Sequence, residues 1–230
     1  MTDHNSVTYT RGVFNLFNQR GSMTRLFLTL TIALGIAVPI NAQEVGITPS
    51  MPSVTLEIDG NTYTIERIQD QDHELTGGFA KTSRACPPFC IQPAEVAPGV
   101  NTVGELEVLS FLQDKVAKGE GILVDARTPK WYVEGTIPGS VNIPFTDFES
   151  DLPIELEGTL EDVGVTINDD GSYDFSTAKE LLLFCNGPWC GQSPRAIRNL
   201  LALGYPAEKL HYYRGGMQLW RLLGLTVIVP

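Results

Sequence analysis

Four cysteines lie in two close pairs, and no other residues in the chain are better suited to do chemistry. Cys86-Pro87-Pro88-Phe89-Cys90 holds one pair, and Cys185-Asn186-Gly187-Pro188-Trp189-Cys190 the other. Cys185 follows directly on Leu181-Leu182-Leu183-Phe184, a run apolar enough for a buried parallel strand. A turn rich in Gly and Pro comes next, then a helix expected to be capped by Ser193, with Pro194 in its first position. In open α/β sheets, ligands bind beyond the carboxyl ends of the strands, and Cys185 falls there. The stretch Asn186, Gly187, Trp189, Gly191, Gln192 and Ser193 then forms an anion cradle of backbone N–H groups. Such donors, with a helix N-terminus behind them, move a thiol from a pKa of roughly 8.5 into the range of about 3.5–7.5. The chemistry implied is that of a thiolate, or of a persulfide built on it.

Cys190 offers a rival. Gly187-Pro188-Trp189-Cys190-Gly191-Gln192-Ser193 resembles the thioredoxin active-site turn over seven residues, with Ser193 where the second cysteine would stand. Cys190 is therefore either a thiol that resolves what forms on Cys185 or an attacking thiol itself. Cys86 and Cys90 read as a structural disulfide, as an auxiliary redox pair over the Cys185 loop, or as half of a four-thiolate zinc site. The disulfide is favoured, and no metal or cofactor is expected.

Stepping outward, the elements that must position these thiols alternate. Val54–Ile58 and Thr62–Ile68 show period two around Asp59-Gly60-Asn61, a hairpin signal. Residues 43–100 read as a small extension. From 101 onward helix and strand alternate: Leu106, Leu109, Leu112 and Val116 on one helical face, then Gly121–Arg127 as a buried strand. Thr128-Pro129 opens a short helix, Ser140–Ile143 is a small strand, and 149–180 is an acidic insertion. Leu181–Phe184, the helix from Ser193 stopped by Gly204, Leu210–Tyr213, Arg214–Trp220 and Leu225–Val229 complete the chain. That order predicts an α/β fold with a parallel sheet.

The stretch 101–229 resembles the rhodanese-like domain. The resemblance rests on Leu123-Val124-Asp125-Ala126-Arg127, on Glu134 to Pro144, on Cys185 with its loop and helix, and on Tyr213 to Trp220. It implies a five-stranded parallel sheet flanked by helices over 101–230. It also implies a cysteine, here Cys185, that accepts sulfane sulfur and passes it to a nucleophile. In that setting Asp125 and Arg127 brace the sheet end and the loop, and Arg214 holds the C-terminal segment. The departures are specific. Active members usually carry a six-residue loop, often with a basic residue, whereas eight residues run here from Cys185 to Gln192, with no Lys or Arg before Arg195. Thr136 stands where the family usually has His. Phosphatase relatives close their loop with an Arg that is missing here, which speaks against phosphatase activity.

The chain has 230 residues, with 16 Lys and Arg against 27 Asp and Glu, a net charge of −11. Nucleic acid rewards the opposite sign. Leu26–Ile40 is a 15-residue apolar run behind Arg20 and Arg25, ending in Asn41-Ala42. It is shorter than the roughly 18 residues of a membrane span and has the flanks of a cleavable signal peptide. Cleavage after Ala42 removes Arg11, Arg20, Arg25 and Asp3, leaving a charge of −13 on 43–230. The expected location is periplasmic or secreted, an oxidising compartment.

The expected function is an exported sulfurtransferase with the persulfide on Cys185. Its partners would be a small sulfur donor and a thiol acceptor, a protein thiol included, with neither nucleic acid nor a stable membrane span. Two alternatives use the same residues: a thiol–disulfide redox protein working through Cys185 and Cys190, and a non-catalytic rhodanese-like binding module.

Overall fold

The computed structural model describes residues 45–149 and 151–230. The expected signal segment 1–42 lies outside them. Among the described residues no helix is long and apolar enough to cross a membrane.

The chain opens with an antiparallel hairpin, β1 (Ser53–Ile58) and β2 (Asn61–Glu66). Ile58 pairs with Asn61, so the turn is only Asp59-Gly60, both at positive φ (49° and 76°). Two left-handed residues make the turn type whose twist matches the strands, and Asp-Gly is among the sequences that tolerate it best. Val54, Leu56, Ile58 and Ile65 are buried on one face of the hairpin.

The central sheet contains β3 (Asn101–Val103), β4 (Gly121–Asp125), β5 (Ser140–Asn142), β8 (Glu180–Phe184) and β9 (Leu210–Tyr213). Its order is β3-β9-β8-β4-β5, and every pairing is parallel. The predicted five-stranded parallel sheet is therefore present. A parallel sheet is covered on both faces, so its inner strands run apolar without a break. β8 shows why. Leu182 and Phe184 enter one core with Leu123, Tyr213, Met217 and Trp220, while Leu181 and Leu183 enter the other with Val124, Leu200 and Tyr212.

Helices complete the layers. α1 (Glu105–Phe111), continued by a π-helical turn over Leu112–Val116, supplies Val108, Leu109, Phe111 and Leu112 to the first core. Leu106, expected on the inward face, is 46% exposed; Val108 and Phe111 face inward instead. Leu109 and Leu112 are buried as expected, so the apolar face is kept but turned toward Val108 and Phe111. α5 (Gly216–Leu222) and the hairpin share this core. The second core lies under α3 (Pro153–Asp162) and α4 (Gln192–Leu203).

The acidic insertion is thus partly structural. Its Leu160, Val163, Val165 and Ala178 are buried, and a small hairpin of β6 (Thr166–Ile167) and β7 (Tyr173–Asp174) caps it. α2 (Pro129–Tyr132) has Pro at its start, although the Thr128 side chain makes no capping bond. Leu225–Val229 makes only isolated bridges, Arg67 to Leu225 and Thr136 to Ile228, and adds no strand to the sheet.

Candidate functional site

Cys185 is the first residue after β8, the middle strand of the sheet, and seven residues, 185–191, connect it to α4. The chain enters α4 two residues earlier than a Ser193 cap predicts. Gly191 occupies the cap position, without a side-chain cap, and Ser193 lies inside the first turn. Ser193 is therefore not a cap. Its buried hydroxyl donates to the Cys185 sulfur at 3.1 Å. The helix stops as expected: Gly204 takes a left-handed φ of 98°, and its N–H and that of Tyr205 bond back to Leu201 and Leu200.

The two loop thiols are both buried and both free. The Cys185 thiol donates to the carbonyl of Cys190 at 3.2 Å, and the Cys190 thiol donates to Gln192 Oε1 at 3.5 Å. Burial pushes the Cys185 pKa up. Hydrogen bonds from the Cys190 thiol, the Ser193 hydroxyl and the backbone N–H groups of Ser193 and Gly187 more than offset it, bringing the group down to about 7. Cys190 moves the other way, held well above the ordinary thiol value by its bond to Cys185 and by burial. Proximity to the helix N-terminus would predict the reverse order. Donor count decides instead, because Cys185 collects the donors and Cys190 is one of them. Of the expected cradle, Gly187 and Ser193 supply backbone donors to this sulfur.

Behind the loop lies a buried ionic brace. Arg127 Nε donates to Asp125 Oδ1 at 2.8 Å, Nη2 to the Gly135 carbonyl at 2.8 Å and Nη1 to Asn186 Oδ1 at 3.4 Å. Thr136, in place of the family's usual His, donates to Asp125 Oδ2 at 2.7 Å. Asn142 closes the network on the carbonyls of Asp125 and Arg127, both at 2.8 Å. A buried charge pair persists only when its remaining hydrogen-bonding groups are matched, and these are. From the other side α5 clamps the loop. The N–H groups of Met217 and Gln218 donate to the carbonyls of Cys185 and Asn186 at 3.0 and 2.9 Å. That approach requires Gly216, at φ 53°, where a Cβ would stand 2.3 Å from the Cys185 carbonyl oxygen.

The 84–92 segment closes over the loop. The sulfurs of Cys86 and Cys90 are within bonding reach, with Cα atoms 4.6 Å apart. The Gln92 N–H donates to the Pro188 carbonyl at 2.7 Å. Arg214 does not hold the C-terminal segment; its guanidinium donates to the Gln92 carbonyl at 2.9 and 3.1 Å, tying 84–92 down. Phe89 meets Trp189 edge to face at 5.6 Å, Arg84 stacks over Trp189 at 3.7 Å, and the Trp189 indole N–H bonds Gln218. The two cysteine pairs do not combine. Among the described residues no group of three or more His, Cys, Asp and Glu side chains has metal-binding geometry, so the four-thiolate zinc reading has no site. His211, without a visible partner in the sequence, sits 3.1 Å from Glu180, which also pairs with Lys115 at 2.6 Å. This cluster lies at the opposite end of β8 from the thiols.

A stretch of 109 residues is 31% identical to an HTH-type transcriptional regulator of Mycobacterium tuberculosis, covering 47% of this chain and 38% of that protein. The chain thus spans well under half of the regulator's length. Similar solved structures include a human single-domain sulfurtransferase (23% identical, 53% of this chain and 96% of that one, TM-score 0.37). They also include a rhodanese-related protein from Thermoplasma volcanium (18%, 56% and 99%, TM-score 0.37). A third is a thiosulfate sulfurtransferase from Pseudomonas aeruginosa (21%, 56% and 20%, TM-score 0.37). The family model described as rhodanese-like domain matches residues 108–223, half of the chain, from the middle of α1 through α5 and with the Cys185 loop inside it, and the protein belongs to that family.

Proposed function

We propose that the chain is an exported sulfurtransferase that carries sulfane sulfur as a persulfide on Cys185. The observation that carries this reading is a buried sulfur at the end of the sheet's middle strand that accepts the Ser193 hydroxyl at 3.1 Å, its surrounding donors bringing its pKa down to about 7. A thiolate is the attacking form of cysteine, and such a site holds it ready near neutral pH. The thiolate attacks the outer sulfur of the donor. A new S–S bond forms, the donor's bond to that sulfur breaks, and the leaving group departs with the electron pair. The donors that stabilise the thiolate also suit the persulfide anion. An acceptor thiolate then attacks the outer sulfur, and Cys185 leaves as a thiolate.

A second reading, resolution by Cys190, draws support from two free thiols buried in one loop, the Cys185 sulfur 3.2 Å from the Cys190 carbonyl. Cys190 attacks the inner sulfur of the persulfide, a Cys185–Cys190 disulfide forms, and the outer sulfur leaves as hydrosulfide with the Cys190 proton. Export through Leu26–Ile40 belongs to the same proposal, with a Cys86–Cys90 disulfide formed in the oxidising compartment. N-terminal sequencing of the exported protein is then expected to start at Gln43.

Incubation of the reduced protein with a sulfane-sulfur donor should add one sulfur atom, read by intact mass. Cys185→Ser should abolish the adduct and keep the fold, whereas Cys190→Ser should keep it and lengthen its life. If Cys190 alkylates first and Cys185 never holds sulfur, the sulfurtransferase reading fails and the thiol–disulfide reading replaces it. If neither thiol reacts, the binding-module reading stands.

A further inference from the structure

Above the Cys185 loop is a cleft of about 360 Å³ with four aromatic rings in its lining. Phe89, Trp131, Phe145 and Trp189 contribute rings, Arg195 stands at the rim, and Cys190 is part of the lining. Cys185 is directly behind, its thiol bonded to the Cys190 carbonyl. A larger depression of about 830 Å³ around residues 45–49, 67–75 and 221–224 contains no cysteine.

Three features of the cleft fit an organic ligand better than an inorganic one. First, the cations near it are already engaged. Arg195 pairs with Glu149 and lies over Phe145 at 5.2 Å, and Arg84 donates to the Gly78 carbonyl while stacking on Trp189. The loop itself supplies no Lys or Arg, and the whole chain carries −11, so a dianion such as thiosulfate finds little attraction. Second, Phe89 is 38% exposed although its segment is tied down at Gln92. Its edge-to-face contact with Trp189 holds the ring in place while its remaining surface stays open at the mouth of the cleft, where an apolar ligand can lie against it. Third, Pro88 and Phe89 precede the family segment, which begins at residue 108, so this wall is an addition of the chain's own.

We propose that this cleft is the subsite for the organic body of a sulfane-sulfur donor, a flat aromatic or apolar group, and that Phe89 from the N-terminal extension sets that preference. The proposal rests on sulfur transfer at Cys185 and names its donor class. With an aromatic thiosulfonate the step balances: the Cys185 thiolate attacks the terminal sulfur, the S–S(O₂) bond breaks, and the electron pair leaves on the arenesulfinate. The ring sits among the cleft's aromatic side chains while the terminal sulfur passes Cys190 to reach Cys185.

The test compares three donors on the full-length chain: benzenethiosulfonate, methanethiosulfonate and thiosulfate. Each rate is divided by the donor's uncatalysed rate with a small free thiol. The first two carry the same charge, so their ratio reports the ring alone. We expect kcat/KM for benzenethiosulfonate to exceed that for methanethiosulfonate by about tenfold or more, from the apolar area the ring buries. Thiosulfate should be slowest. Phe89→Ala and Phe145→Ala should each cut the ratio by about threefold or more, whereas Ile154→Ala, on an exposed helix outside the cleft, should not change it. A ratio near one, or a ratio indifferent to both Phe variants, overturns the subsite. Benzenesulfinate and methanesulfinate binding, measured by calorimetry, tests the cleft without sulfur chemistry. Tighter binding of the ring, weakened by Phe89→Ala, sustains the cleft even if no donor loads Cys185 and the sulfurtransfer reading falls; equal binding overturns it.

Discussion

The two cysteine pairs differ by one residue in spacing and by almost everything else. Cys86 and Cys90 sit on an exposed stretch of the extension, their sulfurs within bonding reach, and the segment is anchored by stacked rings and by Gln92. Cys185 and Cys190 are buried and free, in a loop that leaves the end of β8 and is held by hydrogen bonds from α4, α5 and the Asp125–Arg127 network. One region brings its two sulfurs within bonding reach of each other, and the other surrounds its sulfur with donors. Spacing is therefore a poor guide to what a cysteine pair does. The supporting elements decide, because a strand end aimed at a helix N-terminus gathers N–H and O–H donors and an irregular surface segment does not.

That contrast can be broken at either end. The largest effect is expected from Asp125→Ala, which strands a buried guanidinium; loss of about 3–5 kcal/mol of stability should appear in denaturant unfolding. A loss under about 1 kcal/mol would mean that the inner region does not depend on its ionic brace. Next comes Gly216→Ala, whose Cβ would stand 2.3 Å from the Cys185 carbonyl oxygen at a backbone φ of 53°. A cost of roughly 1–3 kcal/mol is expected, with slower sulfur loading because the loop must shift. The outer region should respond more mildly. Replacing Cys86 and Cys90 together by Ser should cost at most about 2 kcal/mol, since the closed loop is short, and should leave the adduct on Cys185. Loss of the adduct in that variant would mean that the two regions act as one site.

The smallest change sharpens the comparison instead. Because the thiolate is the reactive form, alkylation of Cys185 should accelerate as pH rises through about 7 and level off above it, ahead of Cys190. Ser193→Ala removes one donor to that thiolate, so the midpoint should move upward, by about one pH unit. A profile that does not move would show that the backbone donors and Cys190 suffice.

Sequence alone reaches the sheet and the position of Cys185, for a physical reason. Buried parallel strands read as unbroken apolar runs, and the residue that ends such a run lies at the ligand-binding edge. The Asp59-Gly60 turn is legible because few dipeptides tolerate two positive φ values. Other features were hidden by distance along the chain. Arg214 binds a carbonyl 122 residues away, and Phe89 meets Trp189 across 100 positions, so neither is visible in local patterns. Ser193 misleads differently. A serine at a cap and one in the first turn occupy almost the same place in sequence, yet only the second turns its hydroxyl toward Cys185. Phe145, Trp131 and Arg195 converge only through packing, and Phe145 and Arg195 offered no motif of their own.

β8 is paired along its length on both sides, with Phe184 opposite Asp125 on one neighbour and Tyr213 on the other. Its side chains alternate between two cores, so a one-residue slip would exchange the contents of both. The cysteine that follows is consequently immune to small insertions within the strand: any such change is rejected by the sheet before it can alter the chemistry. Residues 186–191 obey no ladder. Their number is fixed by no strand register, so a change costs loop closure, which grows slowly with length, and whichever contacts to Arg127, α5 and Gln92 it displaces. Diversification around this thiol is therefore concentrated in the connection and in whatever segment is laid over it, so descendants of the fold can gain new ligands without relocating the thiol.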